Sequence, residues 1–141
     1  MTLHVELVIA DRQLWSGEAG MVIAKTLEGD IGVLASHPPV LGILAEGSVV
    51  RILDPQPDRG SAGVAPGEEV TAAVSGGFLS VADDRVSILA TDAQLGSDVD
   101  KAAARSELDT ILSRAGTPSA AGEPSEAKYA RAQLRAAGEQ A

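Results

Sequence analysis

The chain contains no cysteine, very few aromatic residues and no long apolar run. Its 141 residues include one tryptophan, one phenylalanine and one tyrosine, which are Trp15, Phe78 and Tyr129. The absence of cysteine excludes disulfides, thiol catalysis and cysteine-ligated metals. Hydrophobic residues nevertheless make up 45% of the sequence, which is typical of a folded globular protein. Its core must therefore be built from Val, Leu, Ile and Ala.

No segment has the length and apolar character that a membrane requires. A spanning helix needs about 20 consecutive apolar residues, and no stretch approaches that. Residues 1–10 include Glu6 and lack a basic start followed by an apolar run, so no signal peptide is expected. We therefore expect a soluble protein that does not insert directly into a membrane and reaches one only through a partner.

The charge balance is acidic and uneven. The formal net charge is −9, which argues against nucleic acid, because phosphates require a basic footprint. Residues 1–96 contain 13 acidic and 5 basic side chains, whereas residues 97–141 contain 7 and 6. The two parts are therefore expected to have different surface chemistry.

Short apolar runs separated by Gly, Pro and Asp fill the first two thirds of the chain. Leu3, Val5, Leu7 and Ile9 recur at every second position, which is the period of a β-strand. Helical crossovers between the runs are missing, which argues against a parallel α/β sheet and favours a sandwich or barrel. The predicted strands are residues 3–9, 20–26, 31–34, 41–45, 48–53, 70–75, 77–81 and 86–90.

Four short turns and one long loop are predicted between these strands. The turns are residues 11–13, 28–30, 46–47 and 83–85, and the loop is residues 54–69, rich in Pro and Gly and expected to be mobile. The acidic side chains of Asp83 and Asp84 are expected to be a solvated hairpin tip. His4 is expected on the polar face of an edge strand.

The pattern changes to helical after Gly96. Ser97 or Asp98 is predicted to cap a first helix, with Asp100 favourable near its positive end. Residues 116–124 form a Gly/Pro/Ser linker, and Ser125 is predicted to cap a second helix that Gly138 ends. Both helices are too short to be stable alone, so they must pack on each other, on the sandwich or on a partner. We predict a β domain over residues 1–96 and a two-helix hairpin over residues 97–141.

The sequence offers no catalytic constellation. His4 and His37 are the only histidines, and there is no HExxH motif, Walker sequence or nucleophile elbow. No catalytic or metal-ligating residue is therefore predicted. His37 lies in the segment SHPP at residues 36–39, where two prolines stiffen the backbone. It is either an ordinary loop histidine or a contact residue displayed on a rigid tip.

Several segments in order resemble one family. Residues 28–34 (EGDIGVL) followed by residues 36–41 (SHPPVL) are similar to the signature of the epsilon subunit of F-type ATP synthases. Residues 74–81 (VSGGFLSV) and 86–90 (VSILA) resemble its second hallmark, and residues 5–17 also fit. The resemblance covers residues 3–54 and 69–114 well and the last helix loosely.

The resemblance implies a fold and a role. The fold would be an all-β sandwich of about ten strands with a C-terminal α-helical hairpin, in agreement with the interpretation of the sequence patterns. The role would be that of a non-catalytic central-stalk subunit of a proton-translocating ATP synthase. It would bind the gamma subunit, through an exposed apolar strip on the sandwich, and the c subunits of the rotor ring. It would couple rotation to ATP synthesis at the cytoplasmic face of the bacterial plasma membrane.

The resemblance also implies contact residues. Glu28, Asp30 and His37 would face the rotor ring, where charged contacts give orientation more than affinity. Lys128, Arg131 and Arg135 are spaced to lie on one helix face. In the family, basic residues there meet the alpha/beta catalytic head and hold back ATP hydrolysis. The alternative is that this face is simply solvated.

The sequence departs from the family pattern at one motif, and two alternative functions are weighed against the stalk role. Some members bind regulatory ATP through an [Ile/Leu]-Asp-x-x-Arg-Ala motif, but residues 99–104 read VDKAAA, with Ala103 in place of the arginine. We therefore expect no cofactor. The alanine-rich helices and the long Gly/Pro linker between them disfavour strong inhibition. The alternatives to a stalk subunit are a free-standing carbohydrate- or peptide-binding module and an enzyme. The lack of aromatics and of clustered titratable groups disfavours them.

Overall fold

The computed structural model describes residues 2–57, 69–115 and 125–138. This part of the chain forms eleven strands, one short 3-10 turn at Gly96–Asp98 and two α-helices, α1 (Lys101–Ala115) and α2 (Ser125–Ala136). The strands are β1 (Leu3–Ile9), β2 (Arg12–Ala19), β3 (Met21–Thr26), β4 (Gly29–Leu34), β5 (Val40–Leu44), β6 (Ser48–Leu53), β7 (Gln56–Pro57), β8 (Val70–Val74), β9 (Gly77–Ala82), β10 (Arg85–Ala90) and β11 (Ala93–Leu95).

The strands form one sheet that folds over on itself. Its order is β11-β8-β6-β3-β5-β9-β10-β1-β2-β7, with β4 paired to β3. The two halves meet between β3 and β5, where the ladder contains a single residue pair, Thr26 opposite Leu44. The Ala45 N–H donates to the Lys25 carbonyl over 2.9 Å beside it. This narrow link lets the halves face each other as a sandwich.

The core lies between the two halves. Leu3, Val5 and Leu7 of β1 are completely buried, as their period of two requires. Trp15 is the largest fully buried side chain. The core contains no other aromatic residue among the described residues, so it is built from aliphatic side chains as predicted. The all-β sandwich of about ten strands with a C-terminal α-helical hairpin is confirmed.

The prediction that His4 lies on an edge strand is wrong. β1 lies inside the sheet, parallel to β10 on one side and antiparallel to β2 on the other. His4 is half-buried, with its Nε2 3.5 Å from a Glu6 carboxylate oxygen. The alternation of apolar and polar residues in the sequence shows which face of β1 is polar. It does not show which strands pair with β1.

Turn boundaries shift by a residue or two. The first turn lies at residues 10–11, because Arg12 already belongs to β2, a strand that the sequence patterns did not predict. The second turn lies at residues 27–28, and Gly29 begins β4 with a φ of 125°. The tip lies at Asp83 and Asp84 as predicted, with both residues in the left-handed region that Asp tolerates. Asp83 is exposed, but Asp84 is half-buried and accepts a hydrogen bond from the Ser36 N–H, so only Asp83 is a solvated side chain.

The first helix begins later than predicted. Neither Ser97 nor Asp98 caps it, because residues 96–98 are taken up by the 3-10 turn. The cap is Asp100, whose Oδ1 accepts a hydrogen bond of 3.0 Å from the Ala103 N–H. At the end of α2, Gly138 has a φ of 93° and its N–H donates to the Arg135 carbonyl, which confirms the predicted stop.

The two helices pack on each other and on the sandwich. Leu108 and Ile111 of α1 meet Ala127, Ala130 and Leu134 of α2 in a cluster separate from the sandwich core. α2 also lies over β8 and β6. The division into residues 1–96 and 97–141 stays a prediction.

Two predicted segments fall in undescribed parts of the chain. The greater part of the loop at residues 54–69 and the linker at residues 116–124 lie outside the described residues. Within the described ranges, no helix is both long and apolar enough to cross a membrane.

Candidate interaction surfaces

An exposed row of large apolar side chains crosses the outer face of one half of the sandwich. Ile43 of β5 lies opposite Phe78 of β9, and Phe78 lies opposite Leu89 of β10. All three are about half exposed, and Leu41 and Leu27 beside them are more exposed still. We call these five residues the apolar strip. Contiguous exposed apolar side chains of this size mark sites of protein contact.

Strand parity explains the apolar strip. Leu79 and Val81 point into the core and are buried, so Phe78, next to Leu79 on the same strand, must point outward. The same alternation holds on β10, where Ile88 is buried and Leu89 is exposed. The sheet therefore presents apolar side chains on both faces here, whereas a sheet face left in water is normally polar.

The acidic residues predicted to face a partner lie at one end of β4. Glu28 is in the turn before β4 and Asp30 is its second residue, and both are exposed. They border a groove of about 440 Å³ between the β3–β4 hairpin and β5, which Leu27, Leu41 and Ile43 also line. The acidic pair is therefore continuous with one end of the apolar strip.

His37 lies at the other end of β4. Ser36 has a φ of 68°, and its N–H donates to Oδ1 of Asp84 over 2.5 Å. The His37 Nδ1 lies 2.6 Å from the Pro38 carbonyl oxygen, which can only accept, so Nδ1 carries the proton. The loop at residues 35–39 is thus hydrogen-bonded to the β9–β10 turn. His37 within it is half-buried.

The structure therefore does not bring the three predicted ring contacts together. β4 has six residues, and at about 3.3 Å per residue its ends lie about 17 Å apart. In the described part of the chain β4 pairs only with β3, so its other edge is open. A single partner surface that touches Glu28, Asp30 and His37 together would have to extend along the length of β4.

The basic residues of α2 share one face, as their spacing predicts. Lys128, Arg131 and Arg135 all line a cleft of about 970 Å³ between α2 and the sandwich, which we call the α2 cleft. Its opposite wall carries both signs of charge. The charged residues of that wall are Lys25, Asp30, Glu46 and Arg51.

This arrangement places the basic face against the protein rather than in open solvent. Two of its three basic side chains are half-buried, and Arg135 is exposed. Across the α2 cleft, Arg51 is paired with Glu69, whose hydrogen bond and charge raise the pKa of the guanidinium. Among the described residues, Asp30 and Glu46 are the acidic side chains that line the α2 cleft together with the basic face.

Tyr129 sits where the two helices and the sandwich meet. It packs with Val49, Ala73, Ala132 and Ala136. Burial raises its pKa to about 12, and the carboxylates of Asp92 and Glu107 act in the same direction. The side chain therefore reports on the packing of α2 against the sheet.

The raised pKa predicts a loss of stability at high pH. The ordinary tyrosine pKa is 10.0 and the folded value is about 12. The stabilising contribution of neutral Tyr129 is thus complete below pH 10 and is lost as the pH rises toward 12. Because Tyr129 is the only tyrosine, absorbance of its phenolate should give both values, the lower one in concentrated urea. A native pKa at the urea value would contradict the packing described.

No metal-binding cluster is found in the described ranges. Groups of three or more His, Asp or Glu side chains able to hold a metal do not occur there. Ala103, which replaces the arginine of the ATP motif, lies exposed on α1, and the Asp100 carboxylate is engaged in capping that helix. The expectation of no cofactor stays a prediction.

Sequence reasoning missed the two glycines that approach the backbone of α2 most closely. Gly47 and Gly96 lie directly against its backbone, yet in the sequence they look like ordinary turn glycines. An apolar strip was predicted, but its members were not named. The parity of Phe78 relative to Leu79 was the signal that could have identified one of them.

Comparison with known proteins gives a consistent result. Residues 2–96 match the family described as ATP synthase, Delta/Epsilon chain, beta-sandwich domain. An ATP synthase epsilon chain of Streptomyces avermitilis is 49% identical over 108 residues, which cover 76% of this chain and 77% of the relative. That of Thermobifida fusca is 52% identical over 107 residues, covering 75% and 72%.

Solved structures share the fold at low sequence identity. A chain of the Euglena gracilis mitochondrial ATP synthase, solved as OSCP/F1/c-ring, has a TM-score of 0.67 at 20% identity and matches 97% of this chain and 79% of its own length. A chain from the central stalk/c-ring of the Tetrahymena thermophila enzyme has a TM-score of 0.54 at 17% identity, covering 97% and 91%.

Proposed function

The chain belongs to the family of ATP synthase epsilon chains, and from that premise we propose that it is a rotor subunit of the central stalk. Members of this family are non-catalytic accessory subunits of the complex. In the proposed role the chain binds the gamma subunit, contacts the c subunits of the rotor ring and couples rotation to ATP synthesis. It would lie at the cytoplasmic face of the bacterial plasma membrane, held there by the complex.

The apolar strip is the observation that carries this proposal. Ile43, Phe78 and Leu89 form a continuous row on a face that water would otherwise cover. A stable partner that buries this row gains the hydrophobic free energy of three large side chains. We assign the gamma subunit to this surface, because a permanent stalk interface is expected to be apolar.

The acidic pair supports the proposed ring contact. Glu28 and Asp30 are exposed at the end of the β3–β4 hairpin, next to the apolar strip. A contact surface that includes His37 as well would have to extend along the length of β4. Such polar contacts would set the orientation of the subunit more than its affinity.

The basic face of α2 supports a proposed second role in holding back ATP hydrolysis. Lys128, Arg131 and Arg135 would contact the alpha/beta catalytic head when α2 leaves the sandwich. In the structure they line the α2 cleft instead. Docking on the sandwich would therefore compete with contact of the whole basic face with the head, because Lys128 and Arg131 are half-buried when α2 is docked.

Co-purification tests the proposed function directly. A tagged chain expressed in its source organism should be recovered from detergent-solubilised membranes with the alpha, beta and gamma subunits. The recovered material should hydrolyse ATP, whereas the isolated chain should not. Recovery of the chain alone, or with unrelated proteins, would refute the stalk assignment and favour a free-standing binding module.

A further inference from the structure

The contact between α2 and the sheet is built from unusually small residues. On the sheet side Ala73 is completely buried, and on the helix side Ala132 and Ala136 are buried against it. Val49 and Tyr129 add larger, partly buried side chains. Because alanine has little apolar area to bury, this contact gains little hydrophobic free energy for its length. Its position must be determined by how closely the backbones approach.

Two glycines allow that approach, one near each end of the contact. A Cβ at Gly47 would lie closer than 3.0 Å to the backbone of Lys128, and one at Gly96 would lie closer than 3.0 Å to the carbonyl of Ala136. Lys128 and Ala136 are eight residues apart, which is about 12 Å along the helix. We call Gly47 and Gly96 the two glycine seats.

Two side-chain hydrogen bonds also join α2 to the sandwich on the side of Gly96. The hydroxyl of Thr71 donates to the Ala136 carbonyl over 2.5 Å, which is one of the last carbonyls that an α-helix leaves without an internal partner. The Gln133 side-chain amide donates to Oε1 of Gln94 over 2.8 Å. Both bonds require α2 to be in its docked position.

The pairing of α1 with α2 does not depend on the seats. Its cluster contains Leu108, Ile111 and Leu134 together with small residues of both helices. Neither glycine belongs to that cluster. Displacing α2 from the sheet therefore leaves the pairing between the helices intact.

We infer that Gly47 and Gly96 are the positions that determine the docking of α2, so that a side chain at either one releases the helical hairpin from the sandwich as a unit. Release would uncover Ala73 and Val49 on the sheet and the basic face of α2. This inference goes beyond the proposed function and can be tested on the isolated protein.

The test uses Gly47→Ala and Gly96→Ala with the phenolate titration of Tyr129. Release removes the burial of Tyr129 by the sheet and its proximity to Asp92. The pKa should therefore fall from about 12 toward 10.0, an increase in the acid dissociation constant of up to about a hundredfold. Fluorescence of Trp15, buried in the sandwich core, should not change.

Matched controls separate release from backbone strain. Gly47 has a φ of 60°, and Gly29 has a φ of 125° with nothing near its missing Cβ. Gly29→Ala therefore adds strain without touching α2, and Tyr129 should keep its pKa.

Gly96→Ala also crowds Thr71 of the sandwich and could unfold the protein for that reason alone. In that event the Tyr129 pKa of Gly47→Ala is the deciding measurement. A Tyr129 pKa that stays near 12 in Gly47→Ala, with the sandwich folded, would overturn the inference.

Discussion

Replacing Ile43 and Phe78 together with aspartate is expected to abolish recovery of the chain with the ATP synthase. Both side chains are about half exposed and lie directly opposite each other on β5 and β9. Removing one central apolar anchor from an interface typically costs about 2 kcal/mol or more, so binding should weaken at least about thirtyfold. The two charges must also be buried without a partner, which adds to the loss.

The variant should fail in assembly and not in folding. Neither side chain is part of the sandwich core, so Trp15 fluorescence and the β-sheet circular dichroism should stay as in the unchanged chain. Thr110→Asp is the control for an added surface charge, since Thr110 is exposed on α1 and lies outside both the apolar strip and β4. Normal recovery of the double variant would exclude the strip as the gamma interface.

Charge reversal on α2 has the second large expected effect. Lys128→Glu, Arg131→Glu and Arg135→Glu together should raise ATP hydrolysis by the assembled enzyme several-fold, if α2 restrains the catalytic head through this face. Removal of both helices should raise it to the same extent. Reversal of Lys101 and Arg105 on α1 changes the charge in the same direction outside the α2 cleft, and should have little effect.

The titration of Tyr129 tells whether reversal also moves α2. Glutamates at positions 128, 131 and 135 would face Asp30 and Glu46 across the α2 cleft, and like charges repel at that range. A lower Tyr129 pKa in the triple variant would show that α2 has left the sandwich. If the triple variant hydrolyses ATP at the unchanged rate, the basic face has no inhibitory role and is only a solvated or cleft-lining surface.

Truncation also tests the division into two domains. The sandwich core and the helix–helix cluster share no residue, so the sandwich should fold without residues 97–141. A third cluster joins the two parts, and its sheet side consists of Ala73 and Val49. Exposing one alanine and a partly buried valine costs only about 1–2 kcal/mol. Loss of the β-sheet circular dichroism would refute the division.

The sequence predicted strands that are visible as short apolar runs, whether or not polar residues alternate within them. β1 was predicted because Leu3, Val5 and Leu7 alternate with more polar residues. β2 was missed because Ser16 and Gly17 are buried beside Trp15, so small residues interrupt the apolar pattern. The ladder between β1 and β2 also shifts register after Leu7. Which strands are neighbours depends on long-range pairing, and this is why His4 was placed on the wrong kind of strand.

The candidate site was predictable to the extent that it depends on spacing within one element. Lys128, Arg131 and Arg135 were expected on one face from helical geometry alone, and the structure confirms that they share the α2 cleft. The separation of Glu28 from His37 follows from the length of β4, which the predicted turn boundaries obscured. The role of the glycine seats depends on contacts between residues that lie far apart in the chain, which no local pattern records.

The small residues beneath α2 have a consequence for how this protein can vary. Glycine and alanine are the two smallest amino acids, so nearly every amino-acid substitution at Gly47, Ala73, Gly96, Ala132 or Ala136 adds volume to a close contact. Random substitution there is therefore biased toward one outcome. The docking of α2 on the sandwich is easily lost by mutation and rarely improved by it. Lineages that keep α2 docked must therefore do so by selection against larger side chains.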